Sequence, residues 1–275
     1  MRRLRLPQAR DRLRRWRMRI TCLAENTATD NRFGAEHGLS LYIETGAHAV
    51  VFDMGQTGLF AENARKLGID LRDADTAVLS HGHYDHGGGL KRFLEINRSA
   101  PVYVSRHAFA PHYNGTGRYN GLDASLREHD RLIFTGDETV IGAGLTLYSC
   151  NGRARGCDLG SFGMSEERNG IRLPDDFRHE QYLLIEEAGK RTLVSGCSHK
   201  GIMNIMEWMR PDVLVGGFHF STLPLDETLA AYARRLNSFP ADYYTCHCTG
   251  ADQFAFMQGY MHRLFYLSTG QSIDI

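Results

Sequence analysis

The β-type pattern of Thr76-Ala77-Val78-Leu79-Ser80 runs straight into His81-Gly82-His83-Tyr84-Asp85-His86, and Gly87, Gly88 and Gly89 follow before a helical pattern begins at Leu90. A buried strand that ends in four metal-competent side chains within six residues leaves few folds open, because the end of the sheet must also be a site. In an extended segment residues two apart point to the same side. His81 and His83 can therefore grip one ion, while Asp85 and His86, after the chain turns toward its helix, face a second. A single histidine after a strand is ordinarily packed or hydrogen-bonded. Donors at this density read as a metal cluster, since imidazole suits Zn²⁺ and Fe and a carboxylate completes the charge.

Four local donors cannot close two coordination spheres. The further candidates are His199, His219 and His247, each of which follows a predicted strand as His81 does. His199 and His247 are expected as ligands. His219 is left open between ligand, hydrogen-bonding support and substrate contact. His37, His107, His112, His129, His179 and His262 lack such placement and are read as structural or solvated. Cys246 and Cys248 are one residue apart with no second pair, which does not fit the paired knuckles of a structural zinc site. The cysteines are expected to be reduced and packed, with Cys197 the one able to reach a metal.

Coarse patterning places strands over residues 19–23, 40–45, 49–53, 76–80, 102–105, 132–134, 145–149, 182–186, 191–195, 213–215 and 243–245. Helices are expected over 61–67, 90–97, 201–209 and 225–236, and the Gly-rich polar stretch 151–176 as an active-site loop. Strands alternate with helices in both halves, which predicts an α/β chain built as an αββα sandwich of two sheets flanked by helices. A length of 275 residues suits a single catalytic domain, over 18–275.

Residues 1–17 carry eight Arg against one Asp. That is +7 on the extension, so with a net charge of zero the rest of the chain carries −7. The extension lacks a signal core and an apolar pattern and is expected to be disordered. Nucleic acid is not an expected partner, because a basic stripe on the folded body is missing. No apolar run approaches the ~20 residues of a membrane span, so no membrane partner is expected, and the cytoplasm is the expected compartment.

The HxHxDH run, the later strand-end histidines and the sandwich pattern resemble the metallo-β-lactamase superfamily. Within it, Glu36-His-Gly-Leu-Ser40, the segment 81–90, Gly196-Cys-Ser-His-Lys-Gly201, Gly216-Gly-Phe-His219 and His247-Cys-Thr-Gly250 resemble the branch named for 7,8-dihydropterin-6-methyl-4-(β-D-ribofuranosyl)aminobenzene-5′-phosphate synthase. The resemblance covers residues 18 to the C-terminus. It implies two divalent ions, Zn or alternatively Fe or Mn, held by His81, His83, Asp85, His86, His199 and His247. The wider superfamily often places a bridging Asp after the second-half strand, where this chain has Cys197-Ser198-His199.

The chemistry expected is metal-dependent hydrolysis of a small anionic or phosphorylated substrate, with Asp85 and His219 as candidate catalytic residues. Lys200, at a predicted helix start, and Arg153 and Arg155, in the polar stretch, are the candidate substrate contacts. A transferase of the dihydropterin type, releasing pyrophosphate, would use the same ions with water excluded. A non-catalytic metabolite-binding metalloprotein is a third reading. A di-iron reductase is disfavoured, because that group resembles HxExDH and His83 stands at the Glu position.

Overall fold

The computed structural model describes residues 18–275; the basic extension over 1–17 lies outside the described residues. Successive side chains of a strand project to opposite faces, and this sets the layers. In Ala49–Phe52, Val50 and Phe52 join a core shared with Leu147, Leu183, Val194 and Val215, whereas Val51 joins one shared with Phe60, Ala64, Leu90 and Phe93. In Tyr182–Glu187, Leu183 and Ile185 enter the first of these cores, and Leu184 enters a third with Ile202, Ile205, Met206 and Leu236. Each sheet thus gives one face to the other sheet and one to helices, and the result is the αββα sandwich.

The first sheet has the order Ser272–Asp274, Arg19–Ala24, Ser40–Glu44, Ala49–Phe52, Thr76–Val78, Val102–Ser105, Leu132–Thr135. The second has the order Leu264–Tyr266, Asp242–Thr245, Val213–Val215, Lys190–Val194, Tyr182–Glu187, Leu145–Tyr148, Glu138–Gly142. Each changes from antiparallel to parallel pairing part-way across. The parallel strands Thr76–Val78, Lys190–Val194, Val213–Val215 and Asp242–Thr245 are the ones followed by His81, His199, His219 and His247.

Helices cover the outer faces by the expected periodicity. Glu227–Asn237 starts at Asp226, whose side chain accepts from the Thr228 N–H, carries Arg234 and Arg235 in its last turn, and buries Leu229, Ala230, Ala233 and Leu236. Burial of one such Leu is worth about 1.5–3 kcal/mol. No described helix is long and apolar enough to cross a membrane.

The stretch expected as a loop, 151–176, contains a hairpin instead. Ser165–Arg168 pairs with Ile171–Pro174 and, on its other side, with His112–Tyr113, forming a small third sheet. Its polar sequence gives little strand signal because what is buried is an ion cluster: Glu166 is fully buried and accepts from Arg168 at 2.7 Å and Arg178 at 2.7 Å. This sheet carries His112 into the interior.

Candidate metal centre

Asp53 organises the first turn. It ends the strand Ala49–Phe52 with a left-handed backbone, φ 59°, and is fully buried. One oxygen accepts from the Ser80 N–H at 2.7 Å; the other contacts Ser80 Oγ at 2.7 Å and His86 Nδ1 at 2.6 Å. A carboxylate can only accept, so both Ser80 Oγ and His86 Nδ1 donate to it. Ser80 Oγ, its proton used, accepts from His81 Nδ1 at 2.8 Å. The network therefore leaves the Nε2 lone pairs of His81 and His86 for the site. His247 is set the same way, its Nδ1 lying 2.8 Å from Asn26 Oδ1 and its N–H bonded to buried Glu25 at 3.1 Å.

The predicted ligands converge. Ring centroids of His81 and His86 are 4.1 Å apart, and His199 is 4.9 Å from both His81 and His83. His86 Nε2 lies 3.2 Å from His247 Nε2, which lies 3.3 Å from Asp85 Oδ2. Ligand atoms of His81, His83 and His199 fall within 4.8 Å of one another. Among the described residues, Nε2 of His81, His83 and His199 is buried without a hydrogen-bond partner. Buried nitrogens are rarely left unpaired because each unmade bond costs about 1–3 kcal/mol. A divalent ion accepts those lone pairs, so the donor set fits a metal.

The electrostatics agree. Burial, reinforced by the neighbouring histidines, holds His81, His83 and His199 well below the ordinary imidazole range, which keeps their lone pairs free. Burial also opposes charge on His86, but Asp53 and Asp85 outweigh it and push its pKa up to about 9, so in the metal-free chain at neutral pH its Nε2 carries a proton that a bound ion would displace. Burial likewise opposes charge on Asp85, yet His86, His247 and His37 hold it well below the usual carboxylate range. His37, set aside on sequence, stands at the rim with Nε2 3.3 Å from Asp85 Oδ2.

His219 joins the cluster, 4.3 Å by centroid from His199, with a buried unpartnered Nδ1. Ser198, His219 and His247 share the left-handed backbone of Asp53, with φ of 50–59°. Such strained positions persist where the surrounding structure over-determines them, and they concentrate at functional sites.

His112 and His179, read as structural or solvated, prove to be part of the centre's wall. Both are fully buried; Asp175 Oδ2 lies 3.0 Å from His112 Nδ1 and 3.3 Å from His179 Nε2. His179 Nδ1 accepts from the Gly82 N–H at 2.9 Å, pinning the turn between His81 and His83. With Asp175 and His83 they form a group of potential donors within 4.8 Å. His179 was missed because it precedes a strand instead of ending one.

The substrate candidates fare differently. Lys200 is buried and its Nζ donates to the carbonyls of Ser149 at 2.5 Å and Glu180 at 3.0 Å. The N–H groups of His199 and Lys200 both go to the Glu180 carboxylate. Burial lowers the Lys200 pKa to about 8. The turn that leads into the helix is thus bonded from within the chain, and the buried Lys200 ammonium is engaged by the Ser149 and Glu180 carbonyls. Arg153 bonds the Trp208 carbonyl at 2.8 Å. Arg155 bonds the Asp176 carbonyl and lines a cleft of about 530 Å³ with Arg106, His107, Arg168 and Arg178.

Two variants test this framework. Asp53→Asn offers donors where only acceptance works, so metal affinity should fall about 10–100-fold, read by competition with a chromophoric chelator. Gly82→Ala should cost about 1–3 kcal/mol of stability, measured by urea unfolding, because a Cβ there would sit 2.2 Å from the Ala108 carbonyl oxygen.

The model of the Metallo-beta-lactamase superfamily matches residues 33–208. The chain belongs to the metallo-β-lactamase superfamily. Among solved structures it is similar to Tm1679, described as a metal-dependent hydrolase of the β-lactamase superfamily, with TM-score 0.82 and 30% identity over 94% of this chain and 99% of that one. An uncharacterized protein of Methanocaldococcus jannaschii is 29% identical over 242 residues, 84% of this chain and 90% of the relative. The 7,8-dihydropterin-6-methyl-4-(β-D-ribofuranosyl)-aminobenzene-5′-phosphate synthase of the same organism is 26% identical over 261 residues, 85% and 88% of the two chains. The superfamily match stops short of His219 and His247, whereas the structural likeness extends over nearly the whole chain. Fold, His/Asp clusters and superfamily together support a metal-dependent, hydrolase-like function.

Proposed function

We propose that this chain is a dinuclear metallohydrolase acting on a small anionic substrate. The observation that carries it is the convergence of three orphaned imidazole nitrogens, on His81, His83 and His199, beside the Asp85, His86 and His247 cluster. The first three would hold one ion and the second three the other, zinc being the best match to imidazole-rich donors. Bound divalent ions supply Lewis acidity toward an acyl or phosphoryl oxygen and make water more acidic.

The chain's own residues do the rest. Asp85, kept ionised by its three histidines, is the acceptor that orients a water proton at the mouth. His219, with its Nδ1 uncommitted, is placed to contact substrate or the charge that develops on it. Asp53 and Asn26 keep the rings of His86 and His247 in one tautomer and one orientation, and Glu25 holds the His247 backbone N–H. Arg155 lines an open cleft together with Arg106, Arg168 and Arg178, and a positive contact to an anionic substrate is assigned to that group.

The test is elemental analysis of chelator-free protein followed by a screen of phosphodiester, diphosphate, ester and lactone substrates. About two ions per chain and turnover on an anionic member are expected. A stoichiometry that stays at or below one, unchanged in Asp85→Ala, overturns the two-ion reading. The likeness to the synthase favours a second reading, a dihydropterin-type transferase releasing pyrophosphate; release of pyrophosphate only when an amine acceptor is supplied would establish it.

A further inference from the structure

The stretch between Leu145–Tyr148 and Tyr182–Glu187 reaches the metal centre at Phe162. On one side it is fastened to the helix Ile202–Met209. Trp208 Nε1 donates to the Ala154 carbonyl at 3.1 Å, and the Asn204 side chain bonds both the N–H and the carbonyl of Cys157, at 2.9 and 2.6 Å. On the other side the third sheet holds it, with Ser165 paired to Tyr113. Between these anchors residues 161–164 form a tight turn, closed by the Met164 N–H on the Ser161 carbonyl at 2.8 Å, with left-handed φ of 54° at Phe162 and 75° at Gly163. Turns of this kind take Gly, Asn or Asp at the position Phe162 occupies, because a Cβ crowds the left-handed backbone.

Phe177 shares that backbone, with φ 56°, and its surroundings offset the cost. It is fully buried, its N–H is held by Asp175 at 2.7 Å, and its ring stacks on His199 at 4.6 Å and 12°. Phe162 is only half-buried. Its ring packs T-shaped on His219, 4.3 Å by centroid and 62° between planes, and lies 6.1 Å from His199. Full burial therefore does not offset the backbone at Phe162 as it does at Phe177. What the position delivers is a ring beside His219, whose Nδ1 is buried without a partner among the described residues. An aromatic ring next to an uncommitted polar atom suits a flat group that itself carries a polar atom.

We propose that Phe162 is a specificity-determining residue: its ring packs against a flat aromatic or heteroaromatic group that the substrate carries next to the atoms that meet the ions, and His219 Nδ1 bonds a polar atom of that group. The inference rests on the metallohydrolase reading above and names the kind of substrate that site takes. Phe177 has a different part. Stacked on His199 and fully buried, it holds a ligand ring in place and has no face left for a substrate.

The experiment titrates the zinc-loaded full chain with methylphosphonate and phenylphosphonate, which share an anionic head and differ in the ring, and follows binding by calorimetry. The native protein should bind phenylphosphonate about tenfold more tightly. In Phe162→Ala that preference should fall to about twofold or less with zinc content and melting temperature held, and Phe162→Tyr should restore it. Phe162→Leu, which keeps an apolar side chain without the ring, should lose the preference as well and decides the matter if Phe162→Ala misfolds. Equal binding of the two phosphonates by the native protein would overturn the subsite and leave the hydrolase reading standing. An undiminished preference in both Phe162→Ala and Phe162→Leu places the ring's contact elsewhere and also overturns it. A native chain that holds no zinc and binds neither phosphonate strikes at the metallohydrolase reading and takes the subsite with it.

Discussion

Replacing His81 with alanine should strip the centre of metal and lower turnover by at least about 10³-fold, the equivalent of roughly 4 kcal/mol of lost transition-state stabilisation. His81 supplies one of the orphaned nitrogens, and no nearby water-facing group can swing into a position with 0% exposure. The loss of stability should be smaller than the loss of activity, since the removed ring packs mainly against other histidines. Metal content per chain and turnover on the substrate found by the screen are the two readouts. An Ala variant that keeps both its metal and its rate removes His81 from the centre.

The second large effect is on stability against pH. His81, His83 and His199 are held well below their ordinary range by burial, and burial lowers His179 to about 4. In an unfolded chain these groups take up protons near pH 6.5. Below that pH the unfolded state binds protons that the native state refuses, so stability falls as pH drops, by up to about 1.4 kcal/mol per pH unit for each histidine. His86 has the opposite sign: raised to about 9, it contributes stability that is complete below pH ~6.5 and lost as pH rises through 9. The metal-free protein should therefore be most stable between these limits. Between pH 7 and 5 its Tm should drop by on the order of 10 °C. A Tm that is flat over this range would show that the histidines are not buried as neutral rings.

The layers were legible because short apolar runs such as Ala49–Phe52 mark strands buried on both faces and alternate with helical patterns. The centre's inner ring was legible for a different reason: His81 to His86 are local, and His199 and His247 repeat the same position at the end of a strand. What supports that ring was not. Asp53 lies 33 positions from His86, Asn26 lies 221 from His247, and Glu25 lies 222 from it, and nothing local marks them as partners. His112 was hidden by a two-residue strand whose partner is a hairpin of charged residues. Lys200 was misread because a lysine beside a helix start looks like an anion contact until one sees that its ammonium is buried on the carbonyls of Ser149 and Glu180, distant in sequence.

The carboxylate of Asp53 touches one ligand of each proposed ion, His86 directly and His81 through the Ser80 hydroxyl. An ion that draws electron density from either ring polarises the same hydrogen-bonded chain, and such chains respond as a unit. Loading of the two positions is therefore not independent: occupancy of one changes the affinity of the other, and linkage makes that change reciprocal. Titration with Zn²⁺ should accordingly deviate from two separable isotherms, and that deviation should shrink when Ser80 is replaced by alanine, which cuts the chain while leaving every ligand in place.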